Sequence, residues 1–415
     1  IRVTGVQTCA LPICYRNYQL SAPFIERFFD LGVRADQESA PSAVQPAAHI
    51  GMIVSRAFMK KLFGRPLIEK YLPSRDLTHV IDTSGVDIPG HKTPTVILFA
   101  RDRKPSSSHV RVVRSIRSET GSTAIATMAP VWAGIVSEID NPGYVGKSVA
   151  VSDVPRSSFG RWPWSLDGGG AAELKAIIEG AKTEVLKDCI TAVGRVAVLG
   201  EEDAWYIGRS RAHNAPTEPH NMAFVVGEQI RDWVVDQPSA IVFPYESLGG
   251  GALKELTDPL MRRMWPNREI LRRRRIFKKT LEENGRRWFE LLEYYPAKLR
   301  SPMSISFGYI ATHNHFVLDL GGKLFDRHGT VIKLRENATA LEHFALLGLL
   351  NSSTACFWLK QVSEPKSGWT EFWEARFEFD GSKLKDFPIP AQRPVDLAQQ
   401  IHEHASARAA LSPEQ

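Results

Sequence analysis

Cysteine is scarce in this chain. There are four in 415 residues, Cys9, Cys14, Cys189 and Cys356, and no two are spaced as CxxC. A disulfide framework is therefore not expected, and a reducing cytoplasm fits best. Long apolar runs are also missing. None approaches the roughly 18–20 residues that a membrane-spanning helix needs, so no membrane partner is expected. The Gly168–Gly170 and Gly249–Gly251 triplets each precede a helical stretch but lack the Lys and Ser/Thr of a P-loop. They read as plain loops rather than phosphate cradles. His313 and His315 flank Asn314, and on a strand both would face one side. A metal site needs three or four ligands, and no cysteine or carboxylate cluster joins them. A packed polar patch is the better reading, and no metal is expected. No internal repeat is present.

What the chain has is an ordinary globular composition, 43% hydrophobic and 24% charged, with length for two or three domains. The formal charge is +6 and the pI about 9.1. That excess is local. Met261 to Arg300 holds 13 Lys/Arg against 5 Asp/Glu. Such a stretch suits contact with nucleic-acid phosphates, although a solvated helix face can look the same.

The stretch Ile50 to Arg103 organises the order of elements. Before it, SAPFIERFFDLG predicts a helix capped by Ser21 and ended by Gly32, with Phe24, Ile25, Phe28 and Leu31 on one face. Gly51 to Val54 reads as a strand buried on both faces. Arg56 to Leu72 reads as a helix interrupted near Gly64 and Pro66 and stopped by Pro73. Leu77 to Thr83 and Pro94 to Ala100 read as strands. The ten residues between them are too few for a helical crossover, so the pair should be antiparallel. Val110 to Ile116 is expected as an edge strand. Further on, AAELKAIIEGAK is helical, and short strands are expected near Trp205, Phe224 and Ile241. Arg268 to Glu293 is the longest helix candidate, because Ile270, Phe277, Leu281, Trp288 and Leu292 form one stripe. Strands near Ser304 to Ala311 and His315 to Leu320 follow, then helices at Leu341 to Leu350 and Ala355 to Gln361. A polar tail reads as a frayed helix. Trp162, Trp164, Trp205, Trp288 and Trp358 read as core or domain-interface residues.

Several strings carry a resemblance. FIERFFDL, DLTHVIDTSGVDIPGHKTPTVILF, ATHNHFVLDLGGKLF and LLGLLNSSTACFWLKQV, in that order, resemble the large adenine-specific DNA methyltransferases of BREX and phage growth limitation systems. FEFDGSKLKDFPIP is similar to the target-recognition domain of restriction-associated methyltransferases. The resemblance covers Tyr15 to about Pro390. It implies an α/β fold: the C-terminal part of a Rossmann-like, S-adenosylmethionine-dependent methyltransferase sheet, then an α+β target-recognition domain. The implied boundaries are 15–109 for the catalytic part, 110–150 for a linker or edge segment, 151–390 for the DNA-binding part and 391–415 for the tail. VTGVQTCALPI, Val3 to Ile13, looks like a translated sequencing adapter, and residues 1–14 are set aside from fold reasoning.

The resemblance further implies methyl transfer from S-adenosylmethionine to the amino group of an adenine flipped out of duplex DNA. Host modification in a phage-defence system follows as the expected role, with double-stranded DNA and other defence proteins as partners. The sequence departs from the family in two motifs. It has no D/E-x-F-x-G-x-G cofactor loop and no NPPY or NPPF. No catalytic or cofactor-binding residue can be carried over, and this chain is expected to be a C-terminal fragment without catalysis of its own. DNPGY, Asp140 to Tyr144, lacks the second proline and reads as a turn. Ile88, Pro89, Gly90 and His91 lie where related enzymes approach the flipped base. The competing reading is a structural hairpin loop. In the basic run, Arg272, Arg273, Lys279, Arg286 and Arg287 are the outward candidates for phosphate contact, while Arg274 leans toward the apolar side. The alternatives are a non-catalytic DNA-recognition module and part of a fused restriction-modification enzyme. A cofactor loop and NPPY motif upstream in frame would favour the enzyme, a start codon near Tyr15 the module, and an upstream nuclease motif the fusion.

Overall fold

The computed structural model describes residues 19–32, 47–86, 93–116, 129–166, 171–207, 220–236, 238–366 and 374–411. The segment read as an adapter lies outside them. The chain is mixed α/β, with several small sheets and short helices. It divides into two compact units, Ile1–Ile177 with Lys360–Phe377, and Ile178–Leu359 with Glu378–Gln415.

The first unit is built on a five-stranded sheet. Its strands are β1 (His49–Ser55), β2 (Asp76–Asp82), β3 (Thr95–Arg101), β4 (His109–Ser115) and β5 (Val149–Pro155), in the spatial order β1-β3-β2-β4-β5. Val and Ile are prominent in the ladder, as a pleated and half-buried surface favours. β2 and β3 pair antiparallel, as their short connection requires. β4 differs from expectation. It is interior, parallel to β2 and antiparallel to β5, so the edges are β1 and β5.

One face of this sheet packs on Ile25, Phe29, Phe58, Met59, Leu67 and Trp164. The helix Ser21–Asp30 lies on that face, but turned from its expected orientation. Ala22, Ile25 and Phe29 are buried, whereas Phe24, Phe28 and Leu31 are exposed. The i, i+3, i+7 set won because Ala22 permits close approach of the backbone. β1 is buried on alternate residues only, and Ile53 stands exposed. The segment after β1 is helical but never settles into an α-helix. It runs through 3-10 turns at Arg56–Met59, Leu62–Gly64 and Leu72–Ser74 and a π turn at Leu67–Tyr71. Gly64 explains the break: a Cβ there would lie 1.8 Å from the Phe58 carbonyl oxygen. On the opposite face of the sheet the helix Pro130–Glu138 sets Val131 and Ile135 against Ile81, Val113, Val149 and Val151. Lys360–Phe377 joins this unit through Gln361, whose carbonyl accepts from Lys60 and whose side chain accepts from Ser165.

The second unit holds two four-stranded sheets. One orders Lys323–Phe325, Asn221–Val225, Ser239–Val242 and Tyr206–Ile207. The other orders Phe316–Asp319, Ser304–Gly308, Gly329–Leu334 and Ile190–Gly194, all antiparallel. Trp205, Phe224, Ile241, Leu260, Leu271, Leu291 and Phe325 form the main core. The helix Ala340–Leu350 begins at a capping box. The Thr339 hydroxyl accepts from Glu342 N–H, and the Glu342 carboxylate accepts from Thr339 N–H. The last helix, Val395–Ala410, is sixteen residues long and packs against it rather than fraying. Their approach requires Gly348, where a Cβ would come within 2.7 Å of Ala398.

The largest departure from expectation lies in the basic run. The helix spans only Arg268–Arg273. A two-residue hairpin follows, with Arg275–Ile276 paired to Lys279–Thr280. Its loop residues Phe277 and Lys278 have φ of 48° and 75°, both left-handed. Two successive left-handed residues make a type I′ turn, which matches strand twist but favours Asn-Gly. Phe277 is 97% exposed, so the supposed apolar stripe does not exist. Because Phe277 is almost wholly exposed, Phe277→Asn should raise stability by about 0.5–1 kcal/mol, as asparagine tolerates the left-handed region at lower cost. Urea denaturation reads this directly, and an unchanged or lower midpoint would show that the turn is unstrained.

Candidate nucleic-acid interface

The hairpin is held from beneath by Arg274. Its guanidinium is buried and donates to four carbonyls: Leu271 at 2.9 Å, Leu199 and Trp288 at 2.7 Å, and Glu290 at 2.8 Å. It also lies 5.3 Å from the centre of the Trp205 ring. Burial pushes its pKa down to about 10, which still leaves it charged at neutral pH. The neighbouring arginines behave differently. Arg272 pairs with Glu282 at 2.7 Å on the surface. Arg275 donates to the Lys278 carbonyl at 2.7 Å and braces the turn. Arg273, Lys278 and Lys279 are exposed and make no ion pair among the described residues. Arg286 faces inward more than the sequence implies, whereas Arg287 is exposed as expected. Arg286 donates to the carbonyls of Leu291 and Leu292 and to Glu290, and Arg287 to the Lys254 carbonyl. Both help to organise the loop, and Arg272, Arg273, Lys278, Lys279 and Arg287 are the outward cations.

A second basic feature in the same unit had no sequence signal. A cleft of about 390 Å³ is lined by Arg195, Tyr309, Arg327, His328 and Lys385, together with Asp380, whose carboxylate accepts from Ser382 N–H. Lys298 stands beside it and donates to the Arg195 carbonyl at 2.8 Å. Burial, then the charges of Arg195 and Lys385, hold the Lys298 ammonium below its usual pKa. Arg195 is only partly neutralised by Glu293, 2.9 Å away. Such a cleft suits an anion. Its cations come from positions 195 to 385, so no local charge run announces it.

The His-Asn-His string is structural. Asn314 donates to the carbonyls of Leu350 and Ser352, and Asn351 exchanges hydrogen bonds with both backbone groups of Phe316. These amides tie the end of a helix to the start of a strand. His315 is buried, and its pKa is pushed down to about 4 by burial, then by the charges of His313 and Arg231. Among the described residues no group of three His, Cys, Asp or Glu could hold a metal.

In the first unit, Ile88, Pro89, Gly90 and His91 lie outside the described residues. The ends of their loop are clamped. Thr83 and Thr95 hydroxyls lie 2.7 Å apart, and Arg56 binds Asp82 at 2.9 Å and Ser84 at 3.0 Å. A cavity of about 290 Å³ beside the sheet is lined by His49, Thr78, His79, Phe99, Arg101 and Ile139. Burial, then the charge of Arg111, lowers the His79 pKa. Asp140 to Tyr144 is a turn, with Gly143 at φ 95° and Tyr144 N–H bonded to the Asn141 carbonyl. Trp164, Trp205 and Trp358 are buried as expected. No described helix is long and apolar enough to cross a membrane.

No protein-family model matches the chain. Among solved structures, the type IIL restriction-modification enzyme MmeI in complex with DNA aligns with 88% of this chain and 43% of its own, at 11% identity and a TM-score of 0.50. The type IIG restriction endonuclease BpuSI aligns with 87% of this chain and 42% of its own, at 12% identity and a TM-score of 0.40. A curated relative in Streptomyces coelicolor, the adenine-specific methyltransferase PglX, is much longer, and the chain spans about a third of it. Over 97% of its length the chain is 38% identical to 34% of PglX, and in sequence it is a counterpart of that segment.

Proposed function

We propose that this chain is the part of a site-specific DNA adenine methyltransferase that closes the catalytic sheet and recognises the target. The observation that carries this reading is the 38% identity to PglX, sustained over 97% of the chain. In this reading the five-stranded sheet is the closing part of a Rossmann-like methyltransferase sheet, and the second unit is the target-recognition part. The parent enzyme transfers a methyl group from S-adenosylmethionine to the amino group of an adenine in duplex DNA, in a phage-defence system. The base has to leave the stack to be reached. Ile88, Pro89, Gly90 and His91 line its pocket, next to the loop ends clamped by Arg56 and Thr95. Arg272, Arg273, Lys278, Lys279 and Arg287 bind phosphates, which fixes register and adds salt dependence without reading sequence. The cleft around Arg195, Lys298 and Lys385 offers a second phosphate contact.

S-adenosylmethionine would supply the methyl group. This sequence contains no glycine-rich loop of the kind that holds it, so no residue of the chain is assigned to the cofactor. The test is methyl transfer by the parent protein encoded by the complete reading frame. Incubation with tritiated S-adenosylmethionine and unmodified DNA should yield labelled N6-methyladenine. DNA binding without label would favour a recognition module that carries no catalysis.

A further inference from the structure

The type I′ turn at Phe277–Lys278 places an aromatic ring where neither packing nor backbone preference explains it. The ring is 97% exposed and its residue sits at φ 48°. Strained backbone persists where its surroundings over-determine it, and such sites are enriched where a protein meets a ligand. Here the surroundings are rigid. Arg274 fixes the base of the hairpin through four carbonyls, and Arg275 braces the tip through the Lys278 carbonyl. Thr280 and Glu283 exchange backbone-to-side-chain bonds at the return strand. The acidic groups nearby are already engaged, Glu282 by Arg272 and Glu283 by Thr280. The tip therefore presents a bare phenyl ring ringed by positive charge from Arg273, Lys278 and Lys279. A second I′ hairpin in the same unit offers a contrast. At Asp232–Trp233 the φ values are 47° and 75°, but Trp233 is half-buried and Asp232 lies 3.9 Å from His315 and 3.8 Å from Arg408. That turn is explained by contacts inside the chain, whereas the tip at Phe277 is not.

We propose that the hairpin tip is a wedge for duplex DNA, with Phe277 entering the base stack while Arg273, Lys278 and Lys279 bind the phosphates on either side. This rests on the DNA-binding part of the reading above and adds the residue that enters the bases. Apolar side chains inserted between base steps unstack them and bend the duplex, and flanking cations hold the backbone in place. An aromatic contact of this kind changes affinity by an order of magnitude but adds nothing to the salt dependence, because it displaces no counterion.

The test uses the 415-residue chain, a fluorescent mixed-sequence duplex of about 40 base pairs and a salt titration. Phe277→Ala and Phe277→Asn should each weaken binding on the order of tenfold with an unchanged salt slope. Arg273→Ala and Lys278→Ala should each reduce the slope by about 0.9. Phe277→Asn should remain at least as stable as the parent, which separates lost contact from lost fold. In a duplex carrying 2-aminopurine, wild-type protein should raise the probe's fluorescence and Phe277→Ala should not. If the wild-type chain binds no duplex at low salt, both this proposal and the DNA-binding reading fail. If it binds and Phe277→Ala binds equally well, the wedge alone is overturned. A Phe277 effect confined to anionic phosphatidylserine vesicles, with DNA affinity untouched, would also overturn it in favour of a membrane surface.

Discussion

Arg274→Met should destabilise the second unit by about 3–5 kcal/mol, while Arg273→Met, one residue away, should change it by no more than about 0.5 kcal/mol. The two arginines are neighbours in the sequence and opposite in the structure. Arg274 is buried, and each of its guanidinium nitrogens serves at least one backbone carbonyl, of which only that of Leu199 also accepts a backbone bond, from Leu292 N–H, among the described residues. Methionine fills a similar volume but donates nothing, so the carbonyls of Leu271, Trp288 and Glu290 lose their partner while that of Leu199 keeps Leu292 N–H. Each costs about 1–3 kcal/mol if left dry, and water entering the gap relieves part of it. The contact with Trp205, worth about 1 kcal/mol or more when desolvated, goes as well. Arg274→Lys keeps the charge but cannot reach carbonyls contributed by Leu199, Leu271, Trp288 and Glu290 at once, so it should recover less than half of the loss. Urea denaturation followed by tryptophan fluorescence gives all three values. An Arg274→Met midpoint indistinguishable from that of Arg273→Met would show that the carbonyls are satisfied without it.

The same arginine shows where sequence reading stops. Four consecutive arginines on a helix cover all its sides, which correctly implies that Arg274 turns inward. The helix itself is where the expectation fails. A stripe spaced 7, 4, 7, 4 fits helical periodicity, yet Phe277 is exposed, Ile270 is 46% exposed and Leu281 alone of the five is fully buried. Periodicity cannot exclude a hairpin when the turn carries Phe-Lys instead of Asn-Gly, because the only local signal for an I′ turn is then missing. Elsewhere the strings that carry the resemblance are also those with dense local logic. The antiparallel pairing of Asp76–Asp82 with Thr95–Arg101 follows from loop length alone. The strings ATHNHF and LLNSS meet in space through Asn314 and Asn351. By contrast, the cleft around Arg195, Lys298 and Lys385 is illegible in the sequence, since only the tertiary fold gathers cations so far apart. The orientation of the first helix escapes sequence reading for a related reason. Its large aromatic residues suggest the buried face, but Ala22 allows a closer approach than Phe24 or Phe28 would.

Asp76→Ala should destabilise the first unit by about 2–4 kcal/mol, and the loss should shrink as the pH falls. The Asp76 side chain is 1% exposed. It binds Arg103 at 2.8 Å, Arg156 at 3.2 Å, the Ser106 hydroxyl at 2.8 Å and Ser106 N–H at 3.3 Å. Those partners come from the loop after Thr95–Arg101 and from the turn after Val149–Pro155, so one carboxylate joins three strand ends. Truncation leaves two half-buried guanidinium groups facing each other without a counter-charge. Burial by itself raises the pKa of Asp76, but the hydrogen bonds from Arg103 and Ser106 outweigh it and hold the group below its usual 3.8. A carboxylate with a depressed folded pKa adds stability that is present above the unfolded value and is lost as pH falls through the folded one. The wild-type advantage over Asp76→Asn should therefore be constant from pH 7 to about 5 and fall away below about pH 4. Melting temperatures from pH 7 down to 3 decide it. Curves that stay parallel throughout would mean that Asp76 acts by shape and hydrogen bonding rather than by its charge.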